Sequence, residues 1–85
     1  MRNVSFTPDA YNDFNYWIEK DFEVFEKIKT LIHDIQTNPF KGLGKPEPLK
    51  GNYAGYWSRR ITQYDRLIYR VNDVEILIVR CKDHY

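Results

Sequence analysis

In the first half of the chain apolar residues recur every three or four positions, and in the last third they alternate. These are the periods of helix and strand. Arg2 to Phe6 has the β-branched and aromatic content of a short strand. Thr7-Pro8-Asp9 follows with an N-cap hydroxyl, a first-turn proline and a first-turn acid, so a helix starts there and runs to about Lys20 through Tyr11, Phe14 and Ile18. Asp21 can cap a second helix whose stripe is Val24, Phe25, Ile28, Leu31, Ile32 and Ile35, and Asn38-Pro39 ends it. Tyr56 to Thr62, Arg66 to Val71 and Val74 to Lys82 then read as strands joined by short turns, an antiparallel meander.

Alternation puts Arg66, Ile68 and Arg70 on one face of their strand and Leu67, Tyr69 and Val71 on the other. The last strand separates Ile76, Ile78, Arg80 and Lys82 from Glu75, Leu77, Val79 and Cys81. The predicted fold is α+β: a short N-terminal strand and a two-helix hairpin packed on one face of a small antiparallel sheet. The other face is left open and arginine-rich. Residues 1–85 suffice for a single domain.

Between helices and meander, Pro39 to Asn52 holds three of the four prolines and three of the four glycines, which predicts irregular structure. A loop that long in so small a domain calls for a functional explanation.

Charge sharpens this division. Overall the chain is nearly neutral at +1, yet residues 1–40 balance to −3 and residues 41–85 to +4, so the second half builds an anion-seeking surface. The single cysteine, Cys81, excludes an internal disulfide framework and suits a reducing cytoplasm. One Cys with His33 and His84 is a poor set for structural zinc. No apolar run approaches the roughly 20 residues that span a bilayer, and the N-terminus lacks the apolar core of a signal peptide.

The candidate chemistry is Glu47 in the long loop, Arg60 and Arg66 on neighbouring strands, and His84-Tyr85 at the end of the sequence. Glutamate and histidine can divide the base and acid roles of RNA phosphodiester cleavage near neutral pH. An arginine fork can hold the phosphorane oxygens, and Arg66 is the favoured clamp. Lys45, Lys50 and Arg59 would gather substrate backbone. Each residue has a plainer reading: Glu47 as a solvated loop carboxylate, His84 as a frayed end, Arg59-Arg60 as edge charges, Trp57 and Cys81 as core. Pro46 and Pro48 favour the functional reading of Glu47, since they stiffen its backbone and would fix where the carboxylate points. From the residues alone, a non-catalytic module docking an acidic partner, or part of a repressor, stays open beside an enzyme.

The run Pro39-Phe40-Lys41-Gly42-Leu43-Gly44-Lys45-Pro46-Glu47-Pro48-Leu49-Lys50, with Gly55-Tyr56-Trp57-Ser58-Arg59-Arg60-Ile61, Arg66-Leu67-Ile68-Tyr69 and a final His84-Tyr85, resembles the YoeB/Txe toxins of the RelE-like superfamily. That resemblance implies a microbial-ribonuclease-like fold and the toxin of a type II toxin–antitoxin pair. It also implies an mRNA endoribonuclease that acts on translated messages in the ribosomal A site, without metal or other cofactor. Carried over position by position, Glu47 falls on the family's general base, Arg66 on its phosphate-stabilising arginine, His84 on its general acid and Tyr85 on its terminal tyrosine. Lys50 and Arg60 match basic residues near the site. The implied partners are a YefM/Axe-type antitoxin, the 70S ribosome with mRNA, a second copy of the chain, and operator DNA only together with antitoxin. The segment Gln63-Tyr64-Asp65 and the first 38 residues are less characteristic of the family.

Overall fold

Thr7 begins the helical layer in the way its hydroxyl allows. In the computed structural model, which describes residues 1–83, Thr7 Oγ1 accepts the Ala10 amide at 3.1 Å. It also donates to the Val79 carbonyl at 3.0 Å, so the N-cap of helix α1 (Pro8–Lys20) is tied to the sheet. Asp21 serves two helices: its amide donates to the Trp17 carbonyl at the end of α1, and its carboxylate accepts the Val24 amide of α2 (Phe22–Thr37). A single capping residue thus makes the whole joint of the hairpin.

Strands β1 (Asn3–Phe6), β2 (Glu47–Pro48), β3 (Trp57–Arg60), β4 (Arg66–Val71) and β5 (Glu75–Arg80) form one sheet in the order β1-β5-β4-β3-β2. The sheet is mixed. β1 runs parallel to β5, with Val4 beside Ile76 and Phe6 beside Ile78, whereas the other pairs are antiparallel. The fully antiparallel expectation misses this because β1 reaches its partner only through the long connection that a parallel pairing requires.

Both helices lie on one face. Ile28, Leu31, Ile32 and Ile35 of α2 and Ala10 and Trp17 of α1 meet Leu67, Tyr69, Ile76 and Ile78 in the core. Burying these side chains is the main favourable term in folding so short a chain. The alternation read from β4 holds for Leu67, Tyr69 and Arg70, but Ile68 on the other face is buried as well. On β5 the expected faces hold for Ile76 and Ile78 and then shift. Tyr69 pairs with Ile78 and Ile68 with Arg80, so Val79 is an extra residue. The bulge swings Cys81 into the core, where its Sγ lies 3.5 Å from the Ala10 carbonyl.

Candidate active site

Arg59 organises the long loop. Opposite Leu67 on β3, it faces the helices and is fully buried. All five of its N–H donors are used. Nη1 donates to the Asp34 carboxylate of α2 and to the Leu43 carbonyl at 3.0 Å. Nη2 donates to the carbonyls of Asn38 at 2.7 Å and Lys41 at 2.9 Å, and Nε to the Tyr69 hydroxyl at 3.2 Å. That hydroxyl in turn donates to the Pro39 carbonyl at 2.6 Å. The loop between residues 38 and 43 therefore turns its carbonyls inward onto one planar cation, which satisfies a buried charge that would otherwise be very costly. Arg59 has no donor left for RNA, so the expectation that it grips substrate backbone is replaced by a structural role. The physical reason is alternation: Arg59 shares its face with Trp57, which packs on the core with its ring 4.9 Å from Phe40.

The amide of Leu43 donates to the Asp34 carboxylate at 3.0 Å. With Arg59 beside it, this holds the Asp34 carboxyl below its ordinary range. Burial pushes the Tyr69 phenol up. Gly42 is required where it stands: φ is +121°, and a Cβ there would sit 2.1 Å from Asp34 Oδ2.

Beyond the knot, the Gly44 carbonyl accepts the Arg60 amide at 2.7 Å. Glu47 then pairs with Ser58 and Pro48 with Trp57, and the Leu49 amide donates to the Tyr56 carbonyl at 2.9 Å. The stretch expected to be irregular thus contains an edge strand. Proline tolerates that position because an edge strand leaves amide positions unpaired. Glu47 is exposed and borders a groove of about 560 Å³ lined by Glu47, Pro48, Leu49 and Lys50.

Register relates the remaining groups. Glu47 stands opposite Ser58, and two residues further along β3 Arg60 stands opposite Arg66, so Glu47, Arg60 and Arg66 share the face turned away from the helices, on which Ser58 and Ile68 are buried. Two strand spacings across and two residues along put the Glu47 and Arg66 backbones roughly 12 Å apart. Arg66 Nη1 donates to the carbonyls of Thr62 and Asp65, each at 3.0 Å, and no hydrogen bond to a described residue occupies Nε or Nη2. Lys45, Lys50, Arg60 and Arg70 are exposed, and the Arg70 guanidinium stands 5.4 Å from the Tyr56 ring centroid. Asp83 is bonded to the same corner: its carbonyl accepts the Arg66 amide at 3.0 Å and its amide donates to Asp65 Oδ1 at 2.7 Å. His84 and Tyr85 lie outside the described residues.

Compared with known proteins, residues 6–85 match the model of the YoeB-like toxin of bacterial type II toxin–antitoxin systems. The chain belongs to this family. It is the toxin of such a system, and its α+β fold is that of the RelE-like toxins. It is 48% identical over 85 residues to the toxin RelK of Mycobacterium tuberculosis, covering 100% of both chains. Among solved structures, a YoeB/ParE toxin from Agrobacterium tumefaciens superposes with a TM-score of 0.95 at 44% identity, covering 98% of this chain and 99% of that one. A YoeB of Staphylococcus aureus, solved as a dimer, gives 0.93 at 44% identity over 99% and 98% of the two chains. A heterotetrameric YoeB–YefM complex from the same organism gives 0.91 at 43% identity over 100% and 99%.

The YoeB-like chain has three structural residues that the sequence reading did not single out, Asp34, Tyr69 and Asp65. A signal for the first two existed. Once Trp57 is assigned to the core, alternation forces Arg59 inward, and a buried guanidinium demands a carboxylate and other acceptors.

Proposed function

We propose that this toxin is a metal-independent endoribonuclease that cuts mRNA in the A site of translating ribosomes. Glu47, as general base, takes the 2′-hydroxyl proton while the 2′-oxygen attacks the adjacent phosphorus. The P–O5′ bond breaks, and His84, as general acid, protonates the departing 5′-oxygen. The products are a 2′,3′-cyclic phosphate, or its 3′-phosphate hydrolysis product, and a 5′-hydroxyl end. Arg66 neutralises the charge gathering on the phosphorane's non-bridging oxygens, and Tyr85 positions the nucleotide. Lys45, Lys50 and Arg60 hold the phosphate backbone.

One observation carries this reading: Glu47, held on a proline-flanked edge strand, shares the sheet face away from the helices with Arg66, whose Nε and Nη2 bond no described residue. Their backbone separation of about 12 Å leaves room for a nucleotide between the two side chains, as two strand spacings would. The Asp83 hydrogen bonds to Asp65 and to the Arg66 backbone bring the residue that precedes His84 in sequence to the same corner, which supports that reading.

The exposed cations of that face also suit an acidic segment of a YefM/Axe-type antitoxin, which would fold across it and block RNA. The antitoxin complex and the dimer of the S. aureus relatives support the same assemblies here, with operator DNA bound only together with antitoxin. Action on ribosomes puts the protein in the cytoplasm, and no helix among the described residues is long and apolar enough to cross a membrane.

Primer extension on translated mRNA tests the mechanism. Glu47→Gln, Arg66→Ala and His84→Ala should each slow cleavage by about 10²- to 10⁴-fold, the usual contribution of a positioned acid, base or charge clamp, while antitoxin binding persists. Wild-type rates in both Glu47→Gln and His84→Ala would overturn it. Salt-sensitive RNA binding without cleavage would favour a docking module instead.

A further inference from the structure

The last described residues run through two sets of hydrogen bonds. Upstream, Asp13 of α1 accepts Arg80 Nε at 2.8 Å and the Cys81 amide at 3.1 Å, and Trp17 Nε1 donates to the Cys81 carbonyl at 2.8 Å. Downstream, both backbone groups of Asp83 are taken. Its amide donates to Asp65 Oδ1 at 2.7 Å, and its carbonyl accepts the Arg66 amide at 3.0 Å. Asp83 sits at φ +63°, a left-handed conformation that non-glycine residues adopt rarely. Something must hold it there, and the Asp65 carboxylate is the only side chain among the described residues bonded to its backbone.

Asp65 is itself immobilised. Its Oδ2 accepts Thr62 Oγ1 at 2.7 Å, its amide donates to the same Thr62 Oγ1 at 2.9 Å, and its carbonyl accepts the Ile61 amide at 3.0 Å and Arg66 Nη1 at 3.0 Å. One turn residue therefore ties the Arg66 side chain and the end of the described chain together. The Asp83 amide belongs to the peptide unit entering the residue and its carbonyl to the unit leaving it, so bonding both fixes the peptide planes on either side of the Asp83 Cα.

We infer that Asp65 is a positioning residue of this toxin: by holding the Asp83 amide it fixes the Asp83 backbone beside Arg66, and the action of the next residue in sequence, His84, depends on that backbone. The inference rests on His84 being the general acid. Asp65 touches neither substrate nor scissile bond, and acts through the geometry it imposes on the residue before the acid. An error of about an ångström in placing such a group can cost about 100-fold in rate.

Single-turnover cleavage of ribosome-bound mRNA by the full chain tests it. Asp65→Ala should slow the chemical step by about 10- to 100-fold, the usual cost of removing the support of an active-site group, with ribosome affinity within about twofold of wild type. Asp65→Asn keeps an acceptor for the Asp83 amide and should recover most of the rate. In a His84→Ala background, Asp65→Ala should cost less than about twofold more, because two changes that act through one group are not additive. Hydrogen exchange gives a readout independent of cleavage: the Asp83 amide should exchange faster in Asp65→Ala and as in wild type in Asp65→Asn.

The inference is overturned by a wild-type rate in Asp65→Ala, by an Asp65→Asn variant as slow as Asp65→Ala, or by an undiminished Asp65 effect in the His84→Ala background. Failure of the nuclease reading looks different. His84→Ala would then cleave like wild type, and the inference would fall with it even if the Asp83 amide responded as expected.

Discussion

Arg59 and Arg60 are neighbours in sequence and opposites in circumstance. Arg59 points into the helix-packed side of the sheet, fully buried, with all five donors satisfied by Asp34, Leu43, Asn38, Lys41 and Tyr69. Arg60 points to the open side, is exposed, and stands opposite another cation, Arg66. The same guanidinium group thus holds the loop on one face and is exposed to solvent on the other. Strand pleating makes the division, since consecutive residues cannot face the same way. The exposed site is accordingly only as rigid as the buried knot behind it. Glu47 is placed by a loop whose carbonyls converge on Arg59.

Removing the knot should have the largest effect. Arg59→Ala leaves the partly buried Asp34 without its cation and four further acceptors unmet, and each acceptor left buried without a partner costs about 1–3 kcal/mol. For a small domain that is a large share of total stability, so denaturant unfolding should shift strongly and cleavage should fall with it. Arg59→Lys should recover little, because one ammonium with three donors cannot span acceptors arranged around a planar fork. A near-wild-type midpoint for Arg59→Lys would mean that charge, and not the fork, holds the loop.

The helices and the three meander strands were readable because each is a local statement: an N-cap, a stripe at period 3.6, an alternation at period 2. β1 could be read as a strand but not as a parallel partner of β5, since nothing local to Val4 or Phe6 names Ile76 or Ile78. The bulge at Val79, which sends Cys81 inward, is likewise a property of pairing and leaves no mark in one strand's sequence. Of the candidate site, the sequence names Glu47, Arg60 and Arg66 as residue types, and the register brings them to one face. Arg59 is not distinguishable from Arg60 in the sequence, because a cation in a basic stretch resembles its neighbour until its face is assigned. Asp34 and Asp65 were missed because their partners lie 25 and 18 residues away in sequence.

A second way to loosen the buried side uses acid. Asp34 has its pKa lowered on folding by the Leu43 amide and Arg59, so its contribution is complete above the unfolded value near 3.8 and is lost as pH falls through the folded one. Unfolding free energy measured from pH 7 down to pH 2 should show an acid limb that is flatter in Asp34→Asn, which has no such proton to bind. The effect should be smaller than that of Arg59→Ala, because protonation keeps the side chain and its remaining acceptor capacity. An acid limb identical in the two proteins would remove Asp34 from the account of loop order.

The smallest stability change should come from the exposed side. Arg60→Ala removes a solvated side chain facing Arg66, and a like-charged pair directly opposite on adjacent strands is mildly destabilising. The unfolding midpoint should therefore stay within about ±0.5 kcal/mol of wild type, with any shift upward. Function should move the other way. If Arg60 neutralises one phosphate of a single-stranded message, its loss should lower the slope of log affinity against log salt by about 0.7 and weaken binding across sequences alike. Binding isotherms from low to moderate salt, run beside Arg59→Ala, separate the two arginines. Arg60→Ala should be stable with a shallower salt slope, and Arg59→Ala should be unstable under every salt condition. If Arg60→Ala instead unfolded as readily as Arg59→Ala, the division of labour between the two faces of β3 would be wrong.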